Sequence, residues 1–324
     1  MSATTAEMQA VPATVGQVPA APQVKSKPDP RYLALRNFAI SISALNIFGY
    51  TLLGFEQPWL WPILAVLTGY ATELVLEMVS AWAQRRPARF TGKGARGVYE
   101  FLLPAHITAL AANMLLYVNN QLVAMLFAVV VGVSGKHVLQ APIAGRMRHF
   151  MNPSNFGITV TLLCFGSWVS IAPPYQFTEN ADSFFRLAIP MIIITAGTVL
   201  NGLLTKRIPL IVGWLGGFVI QAVLRHFIWD VALASALSTM TGVAFVLFTN
   251  YMITDPGTTP MKPRAQFLFG ASVAVVYGLL MVCNVTYTLF FATTIVCALR
   301  GLGWWVAHFR NRSDSLEKRT ALGG

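Results

Sequence analysis

The chain has 324 residues, of which 55% are hydrophobic and 11% charged. Soluble domains carry about 25% charged residues, so most of this chain cannot build a water-facing surface. Its net charge of +11 reads as insertion topology rather than nucleic-acid binding, because Lys and Arg collect in cytoplasmic loops.

Residues 1–30 are rich in Ala, Pro, Val, Thr and Gln and lack the basic and apolar regions of a signal peptide. They read as a disordered cytoplasmic tail, with Lys25 and Lys27 placed to meet anionic lipid. Residues 31–309 form a polytopic transmembrane domain, and 310–324 a basic cytoplasmic tail. A bilayer-spanning helix needs about 20 apolar residues. Runs of that kind lie at about 37–54, 59–82, 99–117, 121–139, 155–172, 184–204, 208–227, 232–252, 267–283 and 286–304. The expected fold class is therefore an all-α integral membrane protein of about ten transmembrane helices.

Loop charge tests that count. Arg85, Arg86, Arg89, Lys93 and Arg96 follow the second run. Arg146 and Arg148 follow the fourth, Lys206 and Arg207 the sixth, Lys262 and Arg264 the eighth. The intervening loops carry Glu56, Asn119-Asn120, Glu179 with Asp182, Arg225 with Asp230, and Asn284. This alternation places both termini on the cytoplasmic side of the inner membrane. Trp59 and Trp61 at one end, and Trp304 and Trp305 at the other, read as interfacial belts.

Some residues are expensive in lipid. Glu73 and Glu77 lie four apart on one helix face. They read either as a relay or ligand site, or as anchors paired with Arg or Lys. His106, in Leu103-Pro104-Ala105-His106, reads as a hydrogen-bonded helix staple or a site residue. Lys136 and His137 sit where Lys can snorkel to the interface. Cys164, Cys283 and Cys297 fall in apolar runs without a CxxC, so no metal or disulfide framework is expected. Gly213, Gly216 and Gly217 suit close helix packing.

Two turn motifs stand apart: Asn152-Pro153-Ser154-Asn155-Phe156-Gly157 and Thr254-Asp255-Pro256-Gly257-Thr258-Thr259-Pro260. Both combine Pro with side chains that bond their own backbone. Ser154 or Asn155 is placed to cap the fifth helix. Both motifs fall on the cytoplasmic side, which allows one shared site. The candidate binding residues are Asn152, Ser154, Asn155, Thr254, Asp255, Thr258 and Thr259.

These motifs, with Arg207-Ile208-Pro209-Leu210 leading to Leu215-Gly216-Gly217, and with Phe269-Gly270, resemble the RnfD/NqrB family of membrane subunits. The resemblance covers about residues 150–285. The stretches 101–107, 149–157 and 172–180 are closer still to the UnbU-type membrane proteins of enediyne biosynthesis gene clusters. Membership would imply two five-helix halves of inverted orientation, electron transport and a flavin. The family's covalent FMN hangs on the Thr of a Ser-Gly-Ala-Thr segment, which this chain lacks; Thr195-Ala196-Gly197-Thr198 differs in order. Covalent FMN is therefore not expected, and noncovalent FMN or riboflavin, or no flavin, is what the resemblance allows. Three readings follow: a redox subunit serving redox or biosynthetic partners, a small-molecule transporter lined by Glu73, Glu77 and His106, or a membrane scaffold for cytoplasmic biosynthetic enzymes. No self-contained catalytic site is visible.

Overall fold

A computed structural model describes residues 30–322, except 144 and 174–175. The expected tail at 1–29 lies outside the described residues. Helices occupy each expected run: α1 (Pro30–Thr51), α2 (Trp61–Ala83), α3 (Gly94–Leu115), α4 (Leu122–Val138), α5 (Pro153–Phe165), α6 (Ser183–Val199), α7 (Ile208–Trp229), α8 (Leu233–Ser238), α9 (Val243–Leu247), α10 (Pro263–Val282) and α11 (Thr288–Leu322). Two-stranded ribbons join β1 (Leu116–Tyr117) to β4 (Ser170–Ile171) and β2 (Gln140–Ile143) to β3 (Arg146–His149).

Six helices among the described residues are long and apolar enough to cross a membrane, and a seventh span forms if α8 and α9 count together. Their outer faces carry large apolar side chains: Leu187 and Ile192 on α6, Leu203 just beyond it, Ile220, Phe227 and Ile228 on α7, and Leu268 and Leu279 on α10 are all exposed. Apolar surface of this extent is rare on a soluble monomer and is what lipid requires. The chain is a multi-pass membrane protein.

The expected ten crossings are not all of this kind: α1 is not among the six helices, and α4, with 17 residues, and α5, with 13, are shorter. Three of the expected runs also differ in shape. The fifth ends at Phe165 and gives way to β4, where Ser170 and Ile171 pair with β1. The eighth is broken at Gly242 and bends by 65°. The tenth continues without interruption to Leu322, so the basic tail extends the last helix. Trp61 is buried in the core, not in an interfacial belt, whereas Trp59 is exposed.

Some helix pairings recur along the chain: α1 packs on α3 and α6 on α9, α2 on α4 and α7 on α10, and α4 on α5 and α10 on α11. Small residues permit the closest approaches. On α7 and α10, a Cβ on Gly213 would lie 2.2 Å from the Phe267 carbonyl oxygen, and one on Gly270 2.2 Å from that of Leu210. Gly217 meets Ala271 and Ala274, and Gly278 meets Gln221. The contacts rise together along both helices, so α7 and α10 run parallel. Gly216 faces open space. A second seam of the same kind joins α4 to α5, where a Cβ on Gly157 would lie 2.2 Å from the Ala128 carbonyl oxygen.

Two π-helical turns, 200–204 after α6 and 248–252 after α9, meet each other. The Asn201 amide donates to the Asn250 carbonyl (2.7 Å) and to the Gly197 carbonyl (2.8 Å). A Cβ on Gly197 would collide with Asn250. The second turn leads directly into the 254–260 loop.

Candidate functional site

The first motif begins α5. Asn152, in extended conformation, is the N-cap: its Oδ1 accepts the Asn155 N–H (3.0 Å) and the Ser154 hydroxyl (2.9 Å). The cap is thus Asn152 and not Ser154 or Asn155, because Pro153 at the first helical position fixes the turn. The Asn152 amide reaches 100 residues along the chain and donates to the Met252 carbonyl (3.1 Å), two residues before the second motif. Asn155 turns the other way, donating to the Phe290 carbonyl (3.0 Å) and the Thr294 hydroxyl (2.7 Å) of α11, and its Oδ1 is buried without a partner.

The second motif closes on itself. The Asp255 carboxylate accepts the Gly257 N–H (3.0 Å) and the Thr258 hydroxyl (2.9 Å). Thr259 donates to the Asp255 carbonyl (2.6 Å), and Thr254 to the Asn250 carbonyl (2.7 Å). Thr254, Thr258 and Thr259 are buried. Three of these four bonds are the side-chain–backbone bonds that such turn residues make, and the one carboxylate of the loop is committed to the Gly257 N–H and the Thr258 hydroxyl.

Two cations then seize the loop from outside. Arg207, 1% exposed, donates to the carbonyls of Pro260 and Pro256 and contacts the Met261 sulfur (3.3 Å). Arg300, on α11, donates to the Thr258 carbonyl (2.8 Å), with its guanidinium over the rings of Phe269 (4.8 Å) and Trp304 (4.7 Å). Burial draws the Arg207 basicity down, opposed by Asp255 and reinforced by Arg300. The β2–β3 ribbon supplies the last wall. Trp305 ties it to α11 through the Gln140 carbonyl (3.0 Å), and a Cβ on Gly257 would lie 2.9 Å from His149 Nε2. Burial lowers the His149 pKa, Asp255 raises it, and Lys136 and His137 lower it further.

The other candidates lie in finished networks. The Glu73 carboxylate receives Lys136 Nζ (2.6 Å) and His137 Nε2 (3.3 Å) from α4. Lys136 therefore points to a carboxylate and does not snorkel. Glu77 accepts Arg86 Nη1 (2.5 Å) and Nη2 (3.3 Å) and the Arg89 N–H (2.8 Å). The Glu77 carboxylate raises the Arg86 pKa. Both glutamate side chains are sealed from solvent. They are anchors.

His106 joins three helices. Ser43 gives its one hydroxyl proton to the Ala39 carbonyl (2.8 Å), so it accepts from His106 Nε2 (2.8 Å), and Nδ1 accepts the Tyr70 hydroxyl (2.9 Å). With both ring nitrogens engaged, His106 is a staple.

Beside the first motif, α1, α3, α5 and the second π-turn enclose a narrow cleft. Phe38, Ile42, Met114, Ser154, Tyr251 and Met252 line it, and Phe38 and Tyr251 stack across it at 5.4 Å. Its free space is ≈ 20 Å³, enough for about one water. Ser154 and Met252 connect this cleft to both motif contacts. Arg300 and His149 were not candidates from sequence. The signal for Arg300 is a single charge inside an otherwise apolar span.

No family model matches this chain, and no curated protein matches it.

Proposed function

We propose that this protein is a ten-span, RnfD/NqrB-type inner-membrane subunit with both termini cytoplasmic, and that it holds FMN or riboflavin noncovalently where its two motif loops meet. The observation that carries this reading is the bond from Asn152 to the Met252 carbonyl (3.1 Å), which merges two motifs 100 residues apart into one layer. The recurring helix pairings support two five-helix halves.

Two groups of residues support this reading. Phe38 and Tyr251 offer aromatic faces for a ring, and Arg207 and Arg300 offer guanidinium groups near the loop. A ring enters only after Phe38 and Tyr251 part, because the closed cleft holds ≈ 20 Å³. Bound there, a flavin would supply one- and two-electron redox chemistry to cytoplasmic or membrane partners, redox or biosynthetic, docked on the basic loops. Purification in detergent and an absorption spectrum test the reading. Bands of bound flavin, native or after reconstitution with FMN or riboflavin, are the expected result. Their absence in both cases rejects it.

The break between α8 and α9 favours a second reading. Discontinuous helices mark substrate sites in secondary transporters, and this one leads into the π-turn and the 254–260 loop. The residues first expected to line a path, Glu73, Glu77 and His106, are instead held in internal bonds. Deleting the gene should then move product or precursor across the membrane balance. Loss of all product with no intracellular build-up argues against export.

A further inference from the structure

Arg207 is among the most enclosed side chains of the protein, and it occupies an electrostatically poor position. It is the N-cap residue of α7, where the helix dipole is positive and repels cations. Arg225 makes the contrast. It is also buried, but it lies near the C-terminal end of the same helix, donates to Gln221 (3.3 Å) and sits where the dipole favours a cation.

The N-terminus of the parallel helix α10 borders the 254–260 loop, and so does that of α5, through Asn152 and Met252. Neither α7 nor α10 has a side-chain cap. Arg300 adds a second guanidinium, and Lys206, Lys262 and Arg264 form an exposed basic rim.

Compensation is incomplete. Among the described residues, no carboxylate oxygen lies within 4.0 Å of Arg207 or Arg300. Asp255 is the only acid in the loop, and its two oxygens serve Gly257 and Thr258. Arg207 Nε is buried with no partner. Arg300 uses Nη1 on the Thr258 carbonyl, and among the described residues its remaining nitrogens have no bonding partner and are not sealed. A buried cation left without an anion is strongly unfavourable, and carbonyl dipoles answer only part of that cost.

We propose that Arg207 and Arg300, with the 256–260 loop between them, form a binding site for a phosphate group: inorganic phosphate or a phosphate monoester or diester. Arg forks match phosphate geometry in a bidentate manner, and uncapped helix N-termini favour the same ligand. Arg300 meets the ligand first, through its free nitrogens, while Arg207 supplies charge from behind the loop. The site stands apart from the flavin reading. An FMN phosphate is one ester it would take, but riboflavin is not, and phosphate binding without any flavin leaves this proposal intact.

The test is thermal unfolding of the full chain in a neutral detergent, titrated with inorganic phosphate against chloride at matched ionic strength. The expected result is a phosphate-specific rise in the midpoint that grows with the logarithm of concentration, as ligand linkage requires. Arg300→Gln should shift that titration by at least about tenfold in concentration, Arg300→Lys by less, and Arg148→Gln, on the exposed ribbon, not at all. The same measurement in nanodiscs separates the sources. If a lipid phosphate fills the site, phosphatidylglycerol raises the midpoint over phosphatidylcholine in an Arg300-dependent way and abolishes the effect of free phosphate. If the ligand is diffusible, the free-phosphate titration survives in both lipids. No phosphate-specific stabilisation of the wild type in detergent or in either lipid overturns the proposal. An unaltered response in a folded Arg300→Gln protein does so too.

Discussion

Glu73 and Arg207 are both 1% exposed, yet their surroundings are built on opposite terms. Glu73 has Lys136 and His137 against its oxygens, and one turn along the helix Glu77 has Arg86 and Arg89. Each acid was matched by a base drawn from a neighbouring helix or loop. Arg207 and Arg300 have carbonyls, a sulfur and two aromatic rings, but no acid of their own. Both clusters border His149, whose charge is influenced by Glu73 and Lys136 as well as by Asp255. The acidic cluster is closed and holds α2 to α4 and to the loop after it. The basic cluster is open-ended, and a missing negative charge is what distinguishes it.

The largest effect should come from breaking the closed cluster. Lys136→Met leaves the Glu73 carboxylate buried beside only His137, and should cost about 3–5 kcal/mol of stability. Adding Glu73→Gln should restore most of it. Equilibrium unfolding in detergent reads both variants, and a double mutant no better than the single would show that Glu73 does not depend on Lys136.

The open cluster depends on the parallel seam that sets two helix N-termini side by side. Gly270→Ala would place a Cβ 2.2 Å from the Leu210 carbonyl oxygen and 2.7 Å from the Trp214 nitrogen. Backbone cannot move aside as a flexible side chain does, so the expected cost is about 1–3 kcal/mol, measured in the same unfolding experiment. Gly216→Ala, on the same helix but facing open space, should cost nothing comparable.

Asp255→Asn sharpens the contrast in the opposite direction. The amide keeps an acceptor for the loop but removes the negative charge that Asp255 sets near Arg207. Phosphate should then bind several-fold more tightly, on the order of threefold to tenfold, in the midpoint titration. Weaker binding would mean that Asp255 acts through loop shape alone.

The smallest effect is one of pH. Burial holds the His149 pKa below its usual 6.5, so the unfolded chain binds more protons between the folded value and 6.5. Stability should therefore fall as pH drops through that window, and His149→Gln should remove that part of the fall. The groups facing His149 are Asp255, Glu73, Lys136 and His137. A pH profile unchanged by the substitution would show that His149 does not titrate there.

Helices were legible because their signal is local. Apolar runs of span length and alternating loop charge needed no tertiary information. The break at Gly242 was not legible, because the run 232–252 carries no charge and Ser238-Thr239-Met240-Thr241-Gly242 within it gives no direction. Trp61 reads the same at an interface as in a core, and only the packing decides. The two motifs stood out by turn chemistry, but their contact runs from Asn152 to a backbone carbonyl, which has no sequence signature. Arg300 is a lone cation toward the cytoplasmic end of a span, which looks like one more topology signal. Its role emerged when α11 carried it to the Thr258 carbonyl.

The central proposal is that the loop contact holds a flavin and that Arg300 takes the flavin's phosphate, while phosphate binding without flavin is decided by the unfolding titration alone. It is tested most directly by titrating the purified protein with FMN and with riboflavin while following flavin fluorescence, in the wild type and in Arg300→Gln. Quenching by both flavins, with FMN about tenfold tighter and that advantage lost in Arg300→Gln, is the result this account predicts. Equal affinity for the two flavins in the wild type, or no quenching by either, would contradict it.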